Sequence, residues 1–428
     1  MVNKNRRVMV TGLGMVTPVG INTKESWNNL INGTSGITKI DQFDASSLPC
    51  RIAAPVKYKS DSNPDGFDPS LYLTPKERRK VDNFILLGIA AADQAINDSG
   101  WKPENDFDRA MTSVVFGSGI GGLPQIEEVS IKLHEFGFRK VSPFFIPSTL
   151  INLLPGHVSI RHKYCGANFS AVSACSTGSH AIGEAAMMIR HGRANVVVAG
   201  GAEAALCPIA VAGFAAGRAL STKFNDQPEN ASRPWDKDRD GFIIGEGAGV
   251  LILEDYEHAR KRDAKIYAEL IGYGVSSDAH HITAPPESGV GAISAMKNAA
   301  NDANVDFDDI DYLNAHGTST TIGDLAELNA VMSLFKLDKR LHTLYMSSIK
   351  SSIGHLLGAA GGVEAVATVL SIANNIVPPT LNLQNPILSH KNLDLVPMHA
   401  KSFKVQCAMS NSFGFGGTNA SLLFAQYS

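Results

Sequence analysis

The chain has little that would tie it to a nucleic acid, a lipid surface or an oxidising compartment. Its 38 Lys and Arg against 41 Asp and Glu leave a net charge of −3, so electrostatic recognition has to come from a local patch, and neither nucleic acid nor membrane is expected as a partner. Five cysteines (Cys50, Cys165, Cys175, Cys207 and Cys407) are an odd number without paired spacing, which argues against a disulfide framework or zinc site and for a reducing, cytoplasmic location. No apolar run reads as long enough to span a bilayer. The basic start Met1-Val-Asn-Lys-Asn-Arg-Arg7 precedes an apolar run broken by glycines and Pro18, with no Ala-x-Ala cleavage site, so a first β-strand is expected there in place of a secretory signal.

Other chemistries are excluded by missing companions. Gly12-Leu-Gly-Met-Val-Thr17 lacks the third glycine and the distant acidic residue of a dinucleotide site. Ser347-Ser-Ile-Lys350 has no Lys-Thr-Gly partner anywhere. His280-His281 and the His157/His162 pair lack Cys, Asp or Glu at useful spacing, so no catalytic metal is expected.

What is present is an apolar, glycine-rich α/β pattern. Hydrophobic residues at 44% and 39 glycines in 428 residues suit a compact enzyme with many tight turns. Buried strands are expected at residues 8–11, 112–116, 195–199 and 249–253, and helices at 84–97 and 179–190; this alternation predicts a mainly parallel sheet covered by helices. A weak repeat runs through the chain. Ala91-Ala-Asp-Gln-Ala-Ile-Asn-Asp-Ser-Gly100 aligns with Ser294-Ala-Met-Lys-Asn-Ala-Ala-Asn-Asp-Ala303, and Cys175-Ser-Thr-Gly-Ser-His180 with Lys350-Ser-Ser-Ile-Gly-His355. Two matches in one order predict duplicated halves divided near residues 254–265, with a site at their seam.

Cys175 is the most informative residue. The extended stretch Asn168-Phe-Ser-Ala-Val-Ser173 gives way there to the small, helix-compatible run that begins at Ala174. A helix N-terminus offers free amides and a positive dipole end, which would stabilise a thiolate and hold an oxyanion beside it. The competing reading is an inert cysteine packing a helix on a sheet. His316 follows an apolar strand in Tyr312-Leu-Asn-Ala-His-Gly-Thr-Ser-Thr320, and His355 sits among small apolar residues after Lys350. An imidazole in such surroundings is biased to its neutral form, suited to donating a hydrogen bond to an enolate. Taken singly, each histidine also fits a satisfied core residue; with Cys175 and the repeat they make a constellation. Asn411-Ser-Phe-Gly-Phe-Gly-Gly-Thr-Asn-Ala420 permits close backbone approach and could supply a second oxyanion donor, or form a simple bulged hairpin. Lys76-Glu-Arg-Arg-Lys80 and Arg139-Lys140 are short basic patches, solvated faces or a dock for an acidic partner.

Over essentially its whole length the chain resembles the β-ketoacyl-acyl carrier protein synthases, the condensing enzymes of type II fatty acid synthesis. The resemblance rests on Val10-Thr-Gly-Leu-Gly-Met-Val-Thr-Pro18, Ser142-Pro-Phe-Phe-Ile-Pro147, Ser173-Ala-Cys175, Ser232-Arg-Pro-Trp-Asp236, Asn314-Ala-His-Gly-Thr-Ser-Thr320, Lys350 to His355 and Asn411 to Asn419, in that order. It implies an α/β thiolase-like duplicated fold, layered α-β-α-β-α with two five-stranded mixed sheets, split into halves 1–258 and 259–428 and assembled as a homodimer. It implies Cys175 as acyl-accepting nucleophile, His316 and His355 as the decarboxylation pair, and Lys350 with Glu364 as the buried ion pair that orders them. The Cys175 and Phe415 amides would form the oxyanion hole, with Phe415 also the gate to an acyl chain. Thr318 and Thr320 would bind the pantetheine arm; Phe413 would line the substrate site and Ile120 the acyl tunnel. Lys76, Arg79, Lys80, Arg139, Lys140 and Arg218 would dock the acyl carrier protein. No cofactor is expected, because the phosphopantetheine belongs to the carrier. Thr321-Ile322 and Asn168-Phe169 depart from the family pattern and bear on substrate preference.

Three other classes are weighed against this one. A degradative thiolase needs a second catalytic cysteine near the C-terminus, and Cys407 precedes the glycine loop. A cysteine hydrolase needs an Asn or Asp orienting its histidine. A non-catalytic chain-length subunit would lack the nucleophile.

Overall fold

The computed structural model describes residues 6–427; Met1–Asn5 of the basic start lie outside them. In the first half the chain forms β1 (Val8–Val16), α1 (Asn83–Ser99), β2 (Thr112–Gly117), β3 (Asn168–Ala171), α2 (Thr177–Arg190), β4 (Val196–Glu203) and β5 (Gly247–Asp255). The second half forms β6 (Ala268–Ser277), α3 (Val290–Ala303), β7 (Tyr312–Asn314), α4 (Thr321–Leu334), β8 (Leu344–Ser347), α5 (Ala360–Asn374), β9 (Leu393–Asp394), β10 (Cys407–Gly414) and β11 (Thr418–Ala425). The expected strands and helices are all present with bounds that differ by a few residues, but the sheet they form is mixed and not mainly parallel, because each half adds antiparallel strands to its parallel ones.

Two separate five-stranded sheets are not what the ladder shows. The strands form one mixed sheet of 11, in the order β9-β8-β7-β10-β11-β6-β1-β5-β4-β2-β3. The link between the halves is a short antiparallel pairing of β1 with β6, Met9 opposite Glu269 and Val10 opposite Ala268. Within it, β3-β2-β4-β5-β1 and β8-β7-β10-β11-β6 repeat the same order and polarity: the first three strands parallel, the remainder antiparallel. Side-chain packing on both sides of β1 and β5, buried along their whole length, explains why these strands read as continuous apolar runs. Helices α2 and α5 touch strands of both halves, whereas α1 and α3 touch only their own.

Small residues in the repeat have a packing cause. A Cβ on Gly14 would lie 1.8 Å from the Ala91 carbonyl oxygen, and one on Gly274 would lie 2.2 Å from that of Ala295. Strand and helix therefore meet backbone to backbone in both halves, which requires glycine on one side and alanine on the other. These contacts pair Ala91 with Ala295, one residue later than the sequence alignment placed it. The second match shifts further. Ala174 and Leu357 both sit at φ 49, each opening a 3₁₀ turn that leads into α2 or α5, so the counterpart of Cys175 is Gly358 and not Lys350. One apolar stretch was also overlooked: Leu357–Asn374 has the length and mean hydropathy (1.3) of a membrane span, but 89% of it is buried, as the central helix of the core.

Candidate active site

Cys175 lies in the 3₁₀ turn Ala174–Ser176, immediately before the 14-residue helix α2. The left-handed backbone of Ala174 is unfavourable for a residue with a Cβ and has to be held by its surroundings. Four hydroxyls hold it. Ser176 Oγ donates to the Ser412 and Thr418 carbonyls (3.0 and 2.7 Å), Thr418 Oγ1 donates to the Ser173 carbonyl (3.0 Å), and Ser179 and Ser412 hydroxyls pair at 2.8 Å. The Cys175 turn is thereby clamped to the β10–β11 hairpin. Its 415–417 tip, with Gly416 and Gly417 at φ 86 and 70, does form a tight turn, and that turn brings the Phe415 N–H near enough to draw the Cys175 thiol down.

Cys175 keeps some surface toward a cavity, but protein atoms enclose the sulfur, and this burial pushes the thiol up to about 12. The Lys350 charge and the Phe415 N–H pull the other way, while Glu203 and Glu364 add to the rise. The helix N-terminus acts in the same sense as the Lys350 charge, favouring negative charge at the sulfur.

Cys175, His316 and His355 line one cavity of about 420 Å³, together with Ile120, Arg218, Thr318, Thr320, Phe413 and Phe415. The imidazoles cross nearly at right angles, 5.3 Å between centroids, and Phe413 and Phe242 lie 5.8 and 5.3 Å from His316 and His355. Each ring is held from behind through Nδ1. Lys350 Nζ donates to His316 Nδ1 (3.5 Å), and the Leu357 N–H donates to His355 Nδ1 (3.3 Å). In a neutral imidazole whose Nδ1 accepts, Nε2 carries the hydrogen. His355 Nε2 is buried and has no partner among the described residues. Burial holds both histidines well below their ordinary range, with the Lys350 charge acting in the same direction and, on His316, that of His355 also.

Lys350 is buried in an ion pair with Glu364 of α5, outside the cavity wall. Burial pushes the Glu364 carboxyl up and the Lys350 charge draws it down. The Thr318 and Thr320 hydroxyls are 3.0 Å apart at the cavity side.

Not every expected residue converges here. Lys76, Arg79, Arg139, Lys140 and Arg218 are exposed, and of these only Arg218 reaches the cavity. Lys80 stacks over Phe144 at 4.7 Å, joining the turn after the short helix Pro75–Arg78 to the segment that follows Arg139-Lys140. Of the two departures, Thr321-Ile322 sits on the cavity rim, while Asn168 ties the edge strand to residues 155–159 through Pro155 and Ser159.

Two carboxylates went unnoticed in the sequence. Glu327 on α4 accepts the N–H groups of His316 and Gly317 (2.9 and 2.8 Å) and the Asn411 amide (3.2 Å). Glu203, the last residue of β4, accepts from Ser118, residues 119–121 and Gly358. An acid at the end of an apolar strand is itself a signal, since a buried charge requires a set of donors.

Fold and site together define a class: a thiolase-like α/β fold in which a cysteine and two buried histidines line one cavity, with a buried lysine behind one of the histidines. Models of the β-ketoacyl synthase N-terminal and C-terminal domains match residues 5–259 and 267–384, and the chain belongs to the β-ketoacyl synthase family. It is 54% identical over 422 residues to a 3-oxoacyl-[acyl-carrier-protein] synthase 2 of Rhizobium meliloti, covering 99% of both chains. Among solved structures, a β-ketoacyl synthase from Burkholderia phymatum superposes with a TM-score of 0.88 at 34% identity, over 99% of this chain and all of that one. A ketosynthase in complex with its type II polyketide acyl-carrier protein gives a TM-score of 0.88 at 30% identity with the same coverage.

Proposed function

We propose that Cys175 takes an acyl group from an acyl-carrier thioester and that His316 and His355 stabilise the enolate of malonyl carrier protein that attacks it. The chain is a condensing acyltransferase of fatty acid biosynthesis, and each turnover lengthens a carrier-bound acyl chain by two carbons. In the first step the Cys175 sulfur attacks the thioester carbonyl, the oxyanion lies against the Cys175 and Phe415 amides, and the departing carrier thiol takes the proton the cysteine loses. In the second, malonyl carrier loses carbon dioxide, the enolate oxygen accepts from the two Nε2–H groups, and the carbanion attacks the acyl-cysteine. Release of the β-ketoacyl carrier returns the sulfur, which regains a proton from water.

The observation that carries this reading is the occupation of both Nδ1 atoms from behind, which leaves two neutral Nε2 donors for the cavity. Every group used is a side chain, a backbone amide or the carrier's own pantetheine, so the reaction calls on no cofactor. The half 1–258 contributes the nucleophile and 259–428 the histidines, Lys350 and Glu364. Thr318 and Thr320 hydrogen-bond the pantetheine arm, Phe413 and Ile120 contact substrate, and Phe415 gates the acyl chain. Intact-mass measurement after incubation with acyl carriers tests the scheme: an acyl adduct on Cys175 is expected, and an adduct elsewhere or none refutes it. Five unpaired cysteines support a reducing cytoplasm.

The acyl carrier protein docks on the exposed Lys76, Arg79, Arg139, Lys140 and Arg218 together with the half-buried Lys80. Charge reversal by Arg79→Glu together with Arg218→Glu is expected to raise KM for the carrier about tenfold with little change in kcat, and the defect shrinks as salt rises. Steady-state kinetics at two ionic strengths check both parts.

A homodimer accounts for a second surface. Phe136, Phe138, Ile146 and Ile160 are more than half exposed, and β3 is an unpaired edge strand carrying the exposed Phe169. Such an edge, flanked by apolar side chains, suits pairing with a second copy. Sedimentation is expected to give twice the chain mass, and Phe169→Arg to shift it toward the monomer.

A further inference from the structure

Glu203 is fully buried and accepts five donors from two separate turns. The Ser118 hydroxyl lies 2.6 Å from Oε1, with the Ile120 and Gly121 N–H groups at 3.2 Å each. The Gly119 and Gly358 N–H groups lie 2.6 and 2.9 Å from Oε2. The Ser118 hydroxyl also accepts from the Gly121 N–H (3.1 Å), so its own hydrogen is the one given to Glu203. Every neighbour thus donates, the arrangement that favours an ionised carboxylate. Burial raises its carboxyl above the ordinary range and these donors draw it back.

The two turns have different jobs. Residues 118–121 carry Ile120 on the cavity wall. Gly358 follows Leu357, whose N–H fixes His355 Nδ1. The turns meet so closely that a Cβ on Gly358 would lie 2.1 Å from the Gly119 nitrogen. With no room for a side chain between them, their relative position is set by the one carboxylate that both bind.

We infer that Glu203 is a positioning residue for acyl-chain length, holding the turn that presents Ile120 and tying it to the turn behind His355. The inference rests on Cys175 being acylated and Ile120 bounding the acyl chain. A rigid wall discriminates chain length because an extra methylene must displace packed atoms; a loosened wall yields.

The test compares Ser118→Ala and Glu203→Asp with the parent enzyme, using acyl carriers of short and long chain and, separately, malonyl carrier decarboxylation. Ser118→Ala removes one donor from the wall turn alone, so the long-to-short ratio of kcat/KM is expected to rise about fivefold with decarboxylation unchanged. Glu203→Asp cannot reach both turns, so the same ratio rises and decarboxylation falls as well. Parent-like ratios in Ser118→Ala overturn the inference, even with a lowered Tm, and they do so alone if Glu203→Asp fails to fold. An intact-mass control on the parent separates the two levels. A Cys175 adduct with unchanged ratios defeats this inference only, whereas no adduct defeats the reading of the site beneath it.

Discussion

Replacing Cys175 by alanine is expected to lower chain elongation by ~10⁴-fold or more, the scale seen when the nucleophile of a covalent mechanism is removed. The sulfur sits at a helix N-terminus beside the Phe415 N–H, on a residue that lines the cavity. Cys175→Gln separates the two half-reactions. Its amide occupies the space of an acyl-cysteine without forming one, so elongation is lost while malonyl carrier decarboxylation persists. A radiolabelled carbon dioxide release assay reads the second activity directly. Elongation by Cys175→Ala at parent rate would remove the residue from the mechanism; loss of both activities in Cys175→Gln would show that the enolate site depends on the thiol itself.

The three residues that meet at the cavity were legible because each sits at an abrupt change of pattern: strand to helix at Cys175, strand to Gly/Ser/Thr loop at His316, polar to small apolar at His355. Duplication was legible in outline and wrong in register. Alanine-rich helices look alike when slid by one residue, and the true constraint, glycine on the strand opposite alanine on the helix, lies some 80 residues away in sequence for Gly14 and Ala91. Cys175 was aligned with Lys350 on the strength of shared small residues; only backbone conformation, the left-handed Ala174 and Leu357, identifies Gly358 as its counterpart. The sheet count failed for a related reason, since two paired residues at Met9 and Val10 suffice to join the halves and no pattern marks them. Glu203 and Glu327 act through backbone amides of other turns; the apolar strand that ends at Glu203 signals a buried carboxylate but does not identify its donors.

His355→Ala is expected to cut malonyl decarboxylation by about 10²- to 10³-fold, the range for removing one preorganised donor to an oxyanion. Acylation of Cys175, followed by intact mass, should survive, because its oxyanion donors are amides. His355→Gln restores an N–H and should recover part of the loss. The pH dependence gives an independent check. Both histidines are held well below 6.5, so both remain neutral donors from about pH 6 to about pH 8 and decarboxylation should be flat across that window. The rate falls only at lower pH, where protonation would place a second positive charge beside Lys350. A limb centred near the ordinary histidine value would mean that an imidazolium, and not a neutral ring, is the donor. Lys350→Met removes the charge that both depresses these histidines and fills His316 Nδ1, and it strands Glu364 in the core; breaking such a pair costs about 3–5 kcal/mol of stability. In that variant His316 is free to change tautomer, so decarboxylation falls although both rings remain, which assigns the donor function to the proton on Nε2.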